Sequence, residues 1–194
     1  MFNTAVWLSQ VKESGQRDFQ VDWRPFSLAQ VNQGQGADFK HWEQPGALDG
    51  SDNTLLAHRA GLAAKRQGGP AFERFLLALL KARHQERRDL TDPDVMTRAA
   101  AAADLDLAQF LEDLADPALL RQIGDSHTLA VEKYGVFGVP TLLFPGGEAA
   151  FLKMFVPPAA EAAQVFDGVV ALIGGMKHVG EIKRPQPPWP TGVR

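Results

Sequence analysis

The sequence predicts an α/β protein in which a helical block interrupts a single strand-and-helix layer. Three observations carry this. Short strand patterns stand toward both ends, "DFQVDWR" and "TLLF". Between them lie segments with apolar residues at helical spacing, bounded by capping residues. The later strand is introduced by a proline flanked by glycines, in "YGVFGVPTLLF". Strands at both ends with helices between argue for a layered architecture with an insertion.

Thr4, Trp7, Leu8 and Val11 recur at helical spacing from the first residues, and Gly15 is placed to end that helix. In "DFQVDWR", Phe19, Val21 and Trp23 alternate with polar neighbours, the period of a half-buried strand, which Pro25 closes. The next stretch, rich in Gly, Gln and Asp, reads as loop. "SDNTLLAHRAGLAAKRQGG" opens on capping residues and closes on Gly68 and Gly69. "PAFERFLLALLKARHQER" places Phe72, Phe75, Leu76, Leu79 and Leu80 on one face, and Phe72, Phe75, Leu76 and Leu79 are expected to be buried. Asp92-Pro93 and Asp116-Pro117 each pair an N-cap residue with proline at the first helical position, and the second helix runs to Tyr134 with Gly135 as its C′ glycine. "TLLF", "PGGE" and "AAFLKMFV" read as strand, tight turn and strand. A last amphipathic helix turns Ala162, Val165, Phe166, Val169, Leu172 and Ile173 inward. The tail "KRPQPPWPTGVR" is too rich in proline for regular helix or central strand.

The totals bound function as much as fold. A length of 194 residues with 45% hydrophobic content suits a folded globule. A formal net charge of −3 gives no long-range attraction to nucleic acid or to an anionic membrane. No apolar run approaches the roughly 20 residues of a membrane span, and "MFNTAVWLSQVKESGQ" lacks the basic region of a signal peptide, so a cytoplasmic location is expected. The chain contains no cysteine. That excludes disulfides, thiolate metal ligands and a cysteine nucleophile on this chain.

The order of elements, with "GVFGVPTLLF" ahead of a β-hairpin and a final helix, resembles the DsbA-like thioredoxin superfamily. "VDWRPFSLAQVN" is similar to that family's second strand and the segment after it, and "ALLRQIGDSHTLAVEKYGVFGVPT" to its helix leading into the cis-proline loop. "GEIKRPQPP" resembles the terminal segment of a cytoplasmic branch that includes proteins like mycothiol-dependent nitroreductases and 2-hydroxychromene-2-carboxylate isomerases. The resemblance implies a thioredoxin-like fold with an inserted all-helical domain, residues 1–44 and 135–182 forming the thioredoxin-like part, 45–134 the insert and 183–194 a proline-rich tail. It implies a cis Val139–Pro140 bond, where the residues alone favour trans, since only about 5–6% of X–Pro bonds are cis in folded proteins. Its substrate-binding residues are Val139, whose backbone would pair with a bound peptide or thiol compound, Pro140 and Thr141.

Family members begin with a central strand that runs into Cys-Pro-x-Cys at the first long helix, where the helix N-terminus makes the thiolate reactive. Laid on that pattern, "FNTAVWL" is the first helix and Met1 falls near the middle of the motif. The strand and first cysteine would lie upstream. The expectation is that Met1 is a misassigned start, with genuine loss and a gap filled by another segment or partner chain as the alternative. The leading functional reading is thus a thiol-disulfide oxidoreductase-like protein without a redox dithiol on this chain. The alternatives are a non-catalytic peptide- or protein-binding module and a glutathione- or mycothiol-dependent isomerase or nitroreductase. Expected partners are a peptide, a protein thiol or a small thiol, with a homodimer left open and neither nucleic acid nor membrane among them. No cofactor is expected beyond a low-molecular-weight thiol.

No catalytic and no metal-ligating residue is assigned. His127 shares a helical face with Leu119, Ile123, Ala130 and Tyr134 and reads as a packing histidine. His41 beside Trp42 reads as part of a surface aromatic loop, His58 and His84 as residues of charged helix faces, and His178 as near the end of the last helix. None has metal-ligand spacing to another histidine or carboxylate. "KARHQERR" is a solvated helix face, and "AAAAAD" a good helix former. Ser9, the first serine, lies two turns into the first helix, too late to replace a cysteine at its start.

Overall fold

Helix α1, Phe2–Glu13, buries Phe2, Thr4, Ala5, Trp7, Leu8 and Val11 along one side, and the chain leaves it through Gly15 at a φ of 65°. This is a computed structural model that describes residues 1–36 and 38–182, so the predicted proline-rich tail lies outside the described residues. By compactness the chain divides into Met1–Trp23 with Gly138 onward, and Arg24–Phe137. The boundary expected after residue 44 lies further along the chain than this division.

In the first unit, Trp7, Leu8, Val11 and Ala162 form a buried cluster covered by Phe19, Val21, Trp23, Leu152, Met154, Val165, Phe166 and Val169. Trp7 is fully buried and its indole N–H donates to the Ala162 carbonyl at 3.0 Å, joining α1 to the start of α8, Ala162–Val170. That bond satisfies a polar atom that would otherwise be costly to bury. A π-helical turn, Ala171–Gly175, follows α8. Strand β1, Thr141–Leu143, pairs antiparallel with β2, Ala149–Phe151, in the register Thr141↔Phe151, Leu142↔Ala150 and Leu143↔Ala149. The turn between them passes through Gly147 at a φ of 90°.

The strand expected in "DFQVDWR" does not form. Its alternation is real, since Phe19, Val21 and Trp23 are the half-buried residues and pack on the cluster while their neighbours are exposed. The segment nonetheless has no β-bridge. A strand is defined by its ladder, and the only ladder among the described residues is β1 with β2. The second hairpin strand is shorter than expected for the same reason: the ladder stops at Phe151, with a last bond from the Leu152 N–H to the Pro140 carbonyl at 3.0 Å, and Met154 joins the core without pairing.

The second unit is helical. The stretch expected as loop holds α2, Leu28–Asn32, and 3-10 turns at His41–Glu43 and Pro45–Ala47. Then come α3 (Asn53–Arg66), α4 (Gly69–His84), α5 (Pro93–Ala102), α6 (Leu107–Leu114) and α7 (Ala118–Tyr134). Asp52, Asp92 and Asp106 cap α3, α5 and α6 through their side chains, and Asp116 accepts from the Ala118 N–H at the start of α7. Gly135 takes the left-handed conformation that closes α7. One core joins Phe75 of α4 to Phe110 of α6, ring centroids 5.4 Å apart, both fully buried. Another joins Trp42 and Ala47 to Leu55, Leu120 and Ile123. Leu76, expected in the core, is only half-buried, because it sits at the flank of the stripe that Phe72, Phe75, Leu79 and Leu80 bury.

Candidate functional site

Val139, Pro140 and Thr141 form the entrance to β1, and the Val139–Pro140 peptide bond is cis. The register decides which backbone groups are free. Leu152 donates to the Pro140 carbonyl and Phe144 to the Glu148 carbonyl, so Pro140, Leu142 and Phe144 turn their backbone toward β2. In an antiparallel pair the intervening residues turn theirs the other way. Thr141 and Leu143 therefore share the outer edge. The Val139 N–H and C=O form no hydrogen bond among the described residues, and the residue is half-buried. The Thr141 hydroxyl donates to the Gly138 carbonyl at 2.7 Å, bracing the bend. Gly138 is itself buried against the Phe151 ring, which a Cβ there would meet at 3.3 Å.

A second cluster, which the sequence reading missed, gathers around Pro25–Phe26–Ser27 in the helical unit. His41 is buried rather than on a surface loop. Its Nδ1 lies 2.9 Å from Ser27 Oγ and its Nε2 2.5 Å from Asp52 Oδ2. Ser27 caps α2 by accepting from the Gln30 N–H, and Asp52 caps α3 by accepting from the Thr54 and Leu55 N–H groups. An ionised Asp52 only accepts, so in the neutral ring Nε2 carries the proton and Nδ1 accepts from the Ser27 hydroxyl. Burial raises the Asp52 pKa, but hydrogen bonds from Thr54, the Leu55 N–H and His41 outweigh it and hold the carboxyl at about 2.

His58 is half-buried and donates to the Phe26 carbonyl; burial, and next the nearby His41, push it down to about 4 despite that bond and Asp52. His127 is buried with its ring 4.5 Å from Phe26 and 5.3 Å from Trp42, and its Nδ1 has no partner. Burial and the charge of Lys40 lower its pKa. The Ser126 hydroxyl donates to the Pro25 carbonyl at 2.9 Å. The cluster thus holds one short segment from several sides.

Serine, histidine and aspartate in a hydrogen-bonded line suggest nucleophilic chemistry, but Ser27 is only 2% exposed and its oxygen is occupied by the α2 cap. The line joins two helix caps. The signal that could have found Ser27 is "SLAQ", a serine followed three residues later by glutamine, the spacing of a capping box. Here the Gln30 side chain instead binds the Phe39 carbonyl and the His41 N–H. Among the described residues no cluster of three or more metal-ligating side chains occurs, and no helix is long and apolar enough to cross a membrane. His84 lies on α4, and His178 beyond the π-helical turn.

Comparison with known proteins agrees with this architecture. The model of the DSBA-like thioredoxin domain matches residues 7–164. A protein of Mycobacterium tuberculosis, named "Uncharacterized protein Rv2286c", is 31% identical over 189 residues, covering 96% of this chain and 77% of that protein. With its short β-hairpin, flanking helices and helical insertion, the chain belongs to the DsbA-like thioredoxin-domain family.

Proposed function

We propose that this chain acts through the loop at Val139, Pro140 and Thr141, binding an extended peptide, a protein thiol or a small thiol such as glutathione or mycothiol. The carrying observation is the half-buried Val139 backbone, whose N–H and C=O are unpaired at the entrance to an otherwise hydrogen-bonded hairpin. A ligand that supplies one donor and one acceptor completes both bonds at this residue. Family membership supports a relation to thiol-disulfide oxidoreductases. The chain has no cysteine, so binding is the step it performs by itself. The isomerase or nitroreductase reading has no residue here to carry it. A location in the cytoplasm, where low-molecular-weight thiols are abundant, belongs to the same reading.

Calorimetric titration of the 194-residue chain with reduced glutathione and with a cysteine-bearing hexapeptide tests this. Saturable binding of at least one is expected, weakened by Val139→Pro, which removes the N–H. A folded protein that binds neither contradicts the reading.

A further inference from the structure

Three of the five histidines gather around one short segment of the helical unit. Among the described residues of 24–40, only Phe26 and Ser27 are buried, and α2 buries none of its residues. The Phe26 carbonyl accepts from His58 of α3, the Phe26 ring lies 4.5 Å from the His127 ring of α7, and Ser27 Oγ lies 2.9 Å from His41 Nδ1. The Ser126 hydroxyl adds one bond to the Pro25 carbonyl. The segment is thus held largely by imidazoles, and the apolar cluster of Trp42, Ala47, Leu55, Leu120 and Ile123 is built without Phe26.

Positive charge on two of these rings is opposed by what faces them. Burial and the neighbouring His41 and His127 oppose it on His58, with only Asp52 and the Phe26 carbonyl in its favour. Burial and Lys40 oppose it on His127. In a charged imidazole both nitrogens are donors, so the buried, unpartnered Nδ1 of His127 would carry a proton with no acceptor. Arg59, next to His58 on α3, is turned to the carbonyls of Leu48 and Leu114, while Arg24, Arg121 and Asp125 are exposed.

We propose that His58 and His127 form a proton-operated latch: when neutral they hold residues 25–32 against α3 and α7, and their protonation releases that segment while α3 to α7 stay folded. Opening admits water to both rings, which removes the cost of charging them in a buried place. The sign follows from linkage. Burial lowers the pKa of both rings in the closed form, that of His58 to about 4. The open form therefore binds more protons as pH falls below the ordinary histidine value of 6.5, and the closed form is fully favoured only above it. The rest of the unit keeps its own cores, Phe75 with Phe110 and Trp42 with Leu55, Leu120 and Ile123, since Phe26 belongs to neither. A segment with two buried residues is the part of the unit that opens most easily. Its release uncovers the Phe26 ring and the face of His127 beneath it, so acidification presents apolar surface beside α7. The latch stands apart from the Val139 loop and needs no thiol.

Hydrogen exchange of the ¹⁵N-labelled chain at pH 7 and pH 5 tests it, expressed as protection factors so that the intrinsic pH dependence of exchange drops out. The reporters are the Gln30 and His41 amides, which donate to Ser27 Oγ and to Gln30 Oε1. Their protection should fall at least tenfold at pH 5, while the Phe75 and Ile123 amides in α4 and α7 keep theirs. The double variant His58→Gln, His127→Phe has no proton to gain at either position and should protect Gln30 and His41 equally at both pH values. If that variant does not fold, the imidazole Cε1 shifts of the natural chain still decide: His58 and His127 should gain protons over the pH range in which protection is lost. Protonation of both rings with Gln30 and His41 protection unchanged overturns the proposal. So does a loss that spreads equally to Phe75 and Ile123, which is unfolding of the whole unit, and so does an undiminished pH effect in a folded double variant.

Discussion

His58 shows how a single side chain links position to pH response. Its pKa is about 4 in the folded protein against 6.5 for a free histidine, so between those values the unfolded chain binds more protons. Stability must then fall as pH drops through that window and is fully present above it. The difference corresponds to roughly 3 kcal/mol as an upper bound. Urea unfolding at pH 7 and pH 4.5 should show this loss, and His58→Gln should flatten it; an equal loss in the variant would assign it to other groups. Asp52 acts in the opposite sense: its carboxyl is depressed from 3.8 to about 2, so its contribution is present above 3.8 and lost only in stronger acid. Asp52→Ala removes the α3 cap and the partner of His41, and should cost about 1–2 kcal/mol at pH 7 by denaturant unfolding. Neither role is legible from residue type. From its sequence His58 reads as part of a charged face, whereas the fold half-buries it beside the Phe26 carbonyl.

Among the elements, periodicity and caps locate most helices because both signals are local. Trp7, Leu8 and Val11 define the face of α1, and Asp52, Asp92 and Asp116 mark helix starts that the structure retains. Leu76 falls outside the core because a stripe read from spacing has uncertain flanks, so the sharper test is Phe75, which is fully buried against Phe110. Phe75→Ala should cost about 3–5 kcal/mol; a loss below about 1 kcal/mol in urea unfolding would contradict this packing. Gly124 on α7 carries no signal in the sequence, yet a Cβ there would overlap the Trp42 indole. Gly124→Ala should therefore destabilise by about 1–3 kcal/mol through overpacking, despite alanine's better helix propensity. The missing strand at "DFQVDWR" has a different cause. Alternation reports which face is buried, while pairing depends on a partner that local sequence cannot supply.

For the whole molecule, the order of elements and the proline-led hairpin are enough to read a thioredoxin-like fold with a helical insert, and the family model matches residues 7–164. The Val139–Pro140–Thr141 loop is legible through that resemblance; the histidine cluster is not, since it is assembled from residues brought together only by packing. With no cysteine, the chain cannot form a mixed disulfide. In an insulin-reduction assay with dithiothreitol, the 194-residue chain should give the rate of dithiothreitol alone, and any acceleration would contradict this. The central claim is that binding is retained at the loop in a chain without its own redox centre. Titration of the ¹⁵N-labelled chain with reduced glutathione and the cysteine-bearing hexapeptide, followed by amide shifts, tests it most directly. Saturable shifts centred on Val139 and Thr141, with the Ser27–His41–Asp52 amides unmoved, are the predicted result. Shifts confined to the helical unit, or none at saturating ligand, would contradict it.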